Sequence, residues 1–162
     1  MTSILKVSEI QDPTNSNTAL TIDSSGRVLM PVKPAFHVYR NAGDVGSSAT
    51  IVWNEVELNQ GSHYDSSTGL FTAPVAGIYY FSAFGMKTNN TQPDLGIRFI
   101  KNGTAVIGTW MYQNGGASLH IANHISGAYD LAANDTMGVQ VTNSTFYAVG
   151  NRHNSFSGFF VG

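Results

Sequence analysis

Two histidines four residues apart, His120 and His124, are the first pair of side chains whose types and spacing could support chemistry. On a helix, this spacing would let both imidazoles hold one metal ion. The segment 118–125 instead alternates between apolar and polar residues, as a β-strand does, and four residues of a strand span roughly 13 Å. One chain therefore cannot chelate a metal with both. They share the face opposite Leu119 and Ile121, and we interpret them as hydrogen-bonded or solvated histidines.

Glu55 and Glu57 are the second pair that could support chemistry. On one face of a strand they would lie about 6–7 Å apart, which suits the two carboxylates of a glycosidase. Nothing nearby predicts a cleft, so solvated carboxylates are the favoured interpretation. The sequence contains no G-x-S-x-G nucleophile motif and no glycine-rich phosphate loop leading into a helix. We therefore predict a non-enzymatic protein.

Composition excludes several other classes. The 162 residues suffice for one domain with a core and a short appendage. Charged residues make up 11% and the net charge is −2, so a phosphate-binding surface and nucleic-acid partners are not expected. The absence of cysteine excludes disulfides and thiolate zinc sites. Lys6 and Glu9 interrupt the N-terminal apolar run, and no stretch approaches the ~20 apolar residues of a membrane span, so we predict synthesis in the cytoplasm without membrane insertion.

The elements that must position these side chains are strands. Residues 135–142 alternate, with Met137, Val139 and Val141 predicted inward. Residues 78–84 are apolar on both faces, and residues 35–39 and 156–161 are similarly two-sided, which predicts that one face packs into the protein and the other against a partner. No stretch shows the 3.6-residue apolar period of a helix, so the predicted class is all-β.

Aromatic residues recur at fixed intervals in the stretch 53–84. The recurring positions, with the Asn and Gly between them, are Trp53, Asn59, Tyr64, Phe71, Gly77, Tyr79 and Phe81. This spacing resembles the signature of C1q-like domains, trimeric ten-stranded jelly rolls related in shape to tumour necrosis factor. Trp53 stands where that family usually has Phe, and Ala83 where it usually has another aromatic residue.

The resemblance continues to the C-terminus through Lys101-Asn102-Gly103, Asn134-Asp135 and the segment 156–160, FSGFF. It implies a ten-stranded, two-sheet C1q/TNF-like jelly roll over residues 34–162 and a homotrimer. The predicted trimer-interface residues are Phe36, Tyr80, His120, His124 and Phe159. We hypothesise that protonation of the two histidines near their reference pKa of ~6.5 loosens the trimer.

Some C1q-like trimers bind calcium through loop carboxylates and carbonyl oxygens. The acidic loop candidates here are Asp94, Asp130 and Asp135. Because calcium takes six to eight oxygen ligands and no dense D-x-D run is present, the favoured prediction is no metal and no cofactor.

Residues 1–33 differ in residue pattern from the rest of the chain and are predicted to be a short β-rich docking or oligomerisation segment. Residues 20–29 suggest a hairpin, and so few apolar residues need a partner to pack on. The segments ILKVSEIQD and ALTIDSSGRVLMP resemble short N-terminal segments of fibre and appendage proteins of marine bacteriophages. The alternative interpretation is a flexible leader. Pro31 and Pro34 bracket a stiff spacer.

Loops rich in Asn, Gly, Ser and Gln carry the candidate receptor-binding residues. These are Tyr112, Asn114, Phe146, Tyr147 and His153. Amide groups beside aromatic rings suit sugar hydroxyls and sugar faces, and they also suit ordinary turns. A trimer would gain avidity from three such sites.

The sequence thus favours a non-enzymatic bacteriophage virion protein, a trimeric tail fibre or appendage head that attaches to a host-surface glycan. Residues 1–33 would contact other virion proteins. A capsid decoration or connector protein is the first alternative. A free, extracellular lectin-type module is the second, and an endoglycosidase the most distant.

Overall fold

Alternation of apolar and polar residues produces strands throughout the computed structural model, which describes residues 4–87, 94–112, 121–148 and 153–162. Every regular element in these ranges is a β-strand. The chain forms two compact units, Met1–Lys33 and Pro34–Gly162.

The first unit contains a three-stranded antiparallel sheet in the order β1-β2-β3. Its strands are β1 Glu9–Gln11, β2 Thr18–Ile22 and β3 Val28–Leu29. The predicted hairpin joins β2 to β3, where the Asp23 carboxylate accepts hydrogen bonds from the backbone N–H groups of Ser25 and Arg27. Ile10, Ile22, Val28 and Leu29 remain exposed, so this sheet buries little apolar surface within the unit.

The second unit is a sandwich of two antiparallel sheets. Its strands are β4 Ala35–Tyr39, β5 Glu55–Gln60, β6 Tyr64–Asp65, β7 Leu70–Thr72, β8 Gly77–Lys87, β9 Asp94–Lys101, β10 Thr104–Tyr112, β11 Ala122–Leu131, β12 Thr136–Asn143, β13 Phe146–Tyr147 and β14 Ser155–Phe160. One sheet has the order β10-β9-β12-β7-β6. The other has the order β11-β8-β14-β4-β5, and β13 pairs with the end of β8.

The all-β, two-sheet architecture is therefore confirmed. The described part of this unit has eleven strand segments instead of the predicted ten. The difference arises from very short segments, since β6 and β13 contain two residues each. Strand β13, for example, pairs only Phe146 and Tyr147 with Lys87 and Met86.

The core lies between the two sheets and follows the predicted alternation. Met137, Val139 and Val141 of β12 are fully buried, whereas Gln140 and Thr142 on the opposite face are half-buried. On β8, Tyr79 and Phe81 point into the same core. Most of the largest fully buried side chains of this core are aromatic.

The spaced aromatic signature has a direct structural cause. The Asn59 side chain binds the Tyr64 backbone in both directions, with Nδ2 donating to the Tyr64 carbonyl at 2.9 Å and Oδ1 accepting from its N–H at 3.1 Å. The Tyr64 hydroxyl then donates to the Trp53 carbonyl at 2.9 Å. These bonds fix the turn between β5 and β6, which accounts for the set spacing of Trp53, Asn59 and Tyr64.

Phe36 corrects one sequence prediction. Only 2% of this residue is exposed, and its ring stacks on Tyr64 and Phe71 at centroid distances of 5.3 and 5.2 Å. It belongs to the subunit core and is not available to a neighbouring subunit. Strand β4 looked apolar on both faces, but Phe36 and Val38 point inward while His37 and Tyr39 point outward.

Candidate binding surface at the loop end of the sandwich

The antiparallel pairing brings the strand ends that flank the predicted recognition loops to one end of the sandwich. Strands β4, β8, β10 and β12 end there, and β9, β11 and β14 begin there. Pro34, the first residue of this unit, lies at the opposite end, beside Phe160. The loop end is thus the part of the sandwich farthest from where the chain enters it.

Buried polar contacts hold two of these loops. Asn154 accepts a hydrogen bond from the Arg40 N–H at 2.7 Å and donates to the Arg40 carbonyl at 3.1 Å. The Arg40 guanidinium donates to the carbonyl oxygens of Gly43 and Val52, and burial lowers its pKa. The Asp44 carboxylate accepts from the Ala148 N–H at 3.0 Å. These bonds connect the loop after β4 to the segment before β14.

The structure separates the predicted receptor-binding residues. Tyr112 is 62% exposed at the end of β10. Tyr147 and His153 are half-buried, with ring centroids 6.4 Å apart. Asn114 lies outside the described residues.

Phe146 is a correction. It is fully buried and packs edge-on against Trp53 at 5.6 Å between ring centroids, so it cannot contact a receptor. Its neighbour in sequence, Tyr147, faces the other way because successive side chains of a strand alternate.

An open groove of about 530 Å³ lies on the outer face of the five-stranded sheet, near the loop end. Trp110 forms one wall and is 66% exposed. Thr142 and Asn143 of β12 form the opposite wall, and Arg98 and Gly108 also line the groove. Sequence reasoning missed this site; an available signal was that Trp110 and Tyr112 occupy alternate positions of a strand and so share one face.

The outer face of the six-stranded sheet carries the remaining predicted trimer residues that the structure describes. Tyr80 and Phe159 are cross-strand partners with rings 5.5 Å apart, and Phe159 is 47% exposed. His124 lies on the same face, with Nε2 3.0 Å from the Ser82 hydroxyl. His120 lies outside the described residues, so the proposed pH response of the histidine pair stays a prediction.

The three acidic calcium candidates do not converge. Asp94 begins β9 at the loop end, whereas Asp130 and Asp135 lie at the opposite end. Hydrogen bonds from Asn102 and Lys101 and from the Ala132 N–H lower the pKa of Asp135 to about 2. Within the described ranges, no three His, Asp or Glu side chains cluster as metal ligands would.

Glu55 and Glu57 lie on β5, at the edge of the six-stranded sheet. Glu55 accepts a hydrogen bond from the Asn54 amide at 2.8 Å, and Glu57 lies 3.5 Å from His37 Nε2. Neither residue lines the groove described above. Their setting is that of surface carboxylates.

Comparison with known proteins identifies the family. The sequence profile of the C1q domain matches residues 35–161, nearly the whole second unit. The chain belongs to the C1q domain family. C1q domains are non-enzymatic binding and structural modules, which fits the non-enzymatic prediction.

The relatives among curated proteins include complement C1q tumor necrosis factor-related protein 3 of Mus musculus, 30% identical over 111 residues that cover 68% of this chain and 44% of that protein. The protein of the same name from Homo sapiens matches equally. The collagen alpha-1(X) chain of Mus musculus is 33% identical over 156 residues, covering 93% of this chain and 22% of its own length. The chain thus spans less than half the length of these relatives.

Solved structures share the fold. The globular domain of zebrafish complement 1qA protein superposes with a TM-score of 0.66 at 19% identity, covering 80% of this chain and 98% of that one. The Eiger TNF of S. frugiperda gives 0.67 at 13% identity, covering 80% and 93%. The predicted C1q/TNF-like jelly roll is therefore confirmed. In the part of the chain that is described, no helix has the length and apolar character needed to cross a membrane.

Proposed function

We propose that this C1q-family chain forms a homotrimer that binds a surface glycan without catalysis, as the head of a bacteriophage tail fibre or appendage. The observation that carries the proposal is the placement of its surfaces. Apolar side chains are exposed on the outer face of the six-stranded sheet, while the loops that suit recognition gather at the end away from Pro34.

Two different apolar surfaces support a trimer. The first is the outer face of the six-stranded sheet, where Tyr80 and Phe159 pack together and Ile78 and Phe159 are exposed. The second is the edge strand β10, where Met111 is about half exposed although it pairs with Leu95, a fully buried core residue of β9. Two unlike surfaces that bind each other give a head-to-tail contact, which forms a ring such as a trimer when the rotation between neighbouring subunits closes. C1q and TNF domains commonly form homotrimers.

The first unit supports the anchoring role. Its small sheet leaves Ile10, Ile22 and Val28 exposed, and a sheet of this size needs a partner for stability. Its sequence resembles N-terminal segments of phage fibre proteins, so other virion proteins are the proposed partners.

Sedimentation equilibrium tests the assembly, and a trimer predicts three times the 17.4 kDa of one chain. Immunogold electron microscopy with antibody against residues 34–162 tests the location on purified virions from the source. Gold on tail appendages supports the proposal. Gold over the head would place the protein among capsid decoration or connector proteins instead.

A free extracellular binding module is the second candidate, because the curated relatives are animal proteins named for complement C1q and collagen. Absence of gold from every particle, together with a trimer that binds glycan in solution, would favour this candidate.

A further inference from the structure

The groove beside Trp110 combines an exposed aromatic face with a wall of fixed polar side chains. Trp110 is on β10, Thr142 and Asn143 are on β12, and strand β9 runs between them. In the strand register both Trp110 and Asn143 pair with Gly96 of β9. The two walls therefore face each other across one strand.

Glycine makes the floor of the groove shallow. A Cβ at Gly96 would overlap the side-chain oxygens of Thr142 and Asn143, so only glycine lets these groups lie over β9. Gly108, the partner of Arg98, likewise adds no side chain beside Trp110. The result is an open trough instead of the usual crowded outer face of a sheet.

A single carboxylate connects both walls. Asp94 Oδ2 accepts a hydrogen bond from Trp110 Nε1 at 3.0 Å and another from Asn143 Nδ2 at 2.5 Å. The Thr142 hydroxyl donates to Asn143 Oδ1 at 2.9 Å. The indole is therefore held by its polar edge while its flat face stays accessible, and the amide opposite is held from both of its ends.

Arg98 completes the polar wall. Its Nε and Nη2 donate to Gln140 Oε1 at 2.8 and 2.5 Å, which fixes the plane of the guanidinium along the groove. Tyr112 lies two residues beyond Trp110 on the same side of β10, roughly 7 Å away along the strand. A second exposed aromatic ring thus follows Trp110 along the strand, just beyond the residues that line the trough.

We infer that this groove is a saccharide-binding site, with Trp110 contacting the C–H face of a pyranose ring and Asn143, Thr142 and Arg98 contacting its hydroxyl rim. A pyranose presents the two chemistries that the walls offer, an apolar face and a ring of groups that both donate and accept hydrogen bonds. The scarcity of Lys and Arg in the chain disfavours a polyanion such as nucleic acid. This inference rests on the proposed glycan-binding function and assigns that function to a surface of the sheet instead of the loops.

The chain's two tryptophans provide the test. In ¹H–¹⁵N spectra of the full-length trimer, the Trp110 indole signal should shift as glucose, galactose, mannose, N-acetylglucosamine or cellobiose is added. The buried Trp53 indole should not shift. Sugar is added to tens of millimolar, so that even a site with a Kd of about 1 mM would be nearly saturated.

Variants decide between the groove and the loops. Trp110→Ala should weaken saccharide binding about tenfold, which corresponds to ~1.4 kcal/mol. Trp110→Phe should keep part of the affinity, because it retains an aromatic face. His153→Ala, in the other aromatic cluster, should bind as the wild type does. An unchanged Trp53 indole signal in Trp110→Ala shows that the fold is intact.

The outcomes are distinguishable. If a saccharide binds but Trp110→Ala binds it equally well, the groove assignment is wrong and the proposed function stands. If Trp110→Ala converts the trimer to monomers, the groove is a subunit contact and the inference is overturned. If no sugar shifts Trp110, the inference is also overturned, and failure of the wild-type trimer to bind host polysaccharide would remove the proposed glycan function with it.

Discussion

Tyr64 shows how a single hydroxyl secures the aromatic signature. The hydroxyl donates to the Trp53 carbonyl at 2.9 Å and lies 3.2 Å from the Trp53 N–H, in a buried setting that raises its pKa. Removing it leaves these backbone groups without a partner and away from water. The Trp53 peptide groups cannot move away to find other partners, because the Trp53 side chain is fixed in the core. Tyr64 is therefore a structural residue of the aromatic signature and not a binding residue.

Tyr64→Phe should therefore lower the free energy of unfolding by about 1–3 kcal/mol, the cost of a buried group left without its hydrogen bond. Urea unfolding followed by circular dichroism measures this. Tyr112→Phe is the control, since Tyr112 is exposed, and should change stability little. Equal stabilities of the two variants would show that the Tyr64 hydroxyl is not needed.

Asp135 makes a second residue-scale prediction, this time on pH. Its pKa is lowered to about 2 from 3.8 in the folded state, so the folded protein holds the carboxylate in its charged form more strongly than the unfolded chain does. Its stabilising contribution is fully present above pH 3.8 and is lost as the pH falls through about 2.

The midpoint of urea unfolding should therefore decline between pH 4 and pH 2 less steeply in Asp135→Asn than in the wild type. Asp130→Asn is the matched control, because the Asp130 contact with Lys101 is made by its backbone carbonyl. Parallel pH profiles of wild type and Asp135→Asn would contradict the prediction.

At the scale of elements, sequence periodicity predicted the strands well where one face is wet. The buried positions of β12 alternate as the sequence indicates, and the Lys101-Asn102-Gly103 turn joins β9 to β10 with positive φ at Asn102 and Gly103. Periodicity did not separate the two faces of β4, because aromatic rings lie on both of them, Phe36 on the inward face and Tyr39 on the outward face. Which apolar face enters the core depends on pairing with distant strands, and a local pattern does not contain that information.

The candidate site was harder to predict for the same reason. Phe146 was chosen for its loop, but it pairs with Lys87 and packs on Trp53, nearly a hundred residues earlier. Trp110, Asp94 and Asn143 come from three separate strands and meet only because β10, β9 and β12 are neighbours. Loop composition directed attention to one end of the sandwich and did not indicate the groove beside it, because the groove residues lie within strands.

Gly77 links the signature to a close approach between elements. Its φ is +148°, and a Cβ there would lie 2.7 Å from the Phe160 ring and 2.8 Å from the Gly162 carbonyl oxygen. Gly77→Ala should lower the free energy of unfolding by about 1–3 kcal/mol through backbone strain and this collision. Gly46→Ala, where a Cβ meets nothing within 4 Å, is the control and should be near neutral in thermal unfolding. A Gly77→Ala protein as stable as the control would show that the C-terminal residues move aside freely.

At the scale of the whole molecule, the sandwich buries its core but leaves apolar side chains exposed on an outer face. The core accounts for the inward faces of both sheets, while the outer face of the six-stranded sheet keeps Tyr80 beside an exposed Phe159. Chain entry at one end and loops at the other suit a head held at its base. Membership of the C1q domain family specifies the fold. The partner of each surface depends on the side chains that the surface exposes.

The proposed trimer depends on the outer face of the six-stranded sheet in a way that a charge can test. A carboxylate at Phe159 would be buried without a partner if this face contacts a sister subunit, at a cost of several kcal/mol. Because Phe159 is 47% exposed in the single chain, the same change should leave the subunit fold intact. Phe159→Asp should sediment as one 17.4 kDa chain with a wild-type circular dichroism spectrum. Val75→Asp is matched in exposure at 47% but lies in the connection between β7 and β8, and it should remain trimeric. A Phe159→Asp protein that still sediments as a trimer would mean that the subunits meet through another surface, such as the β10 edge alone.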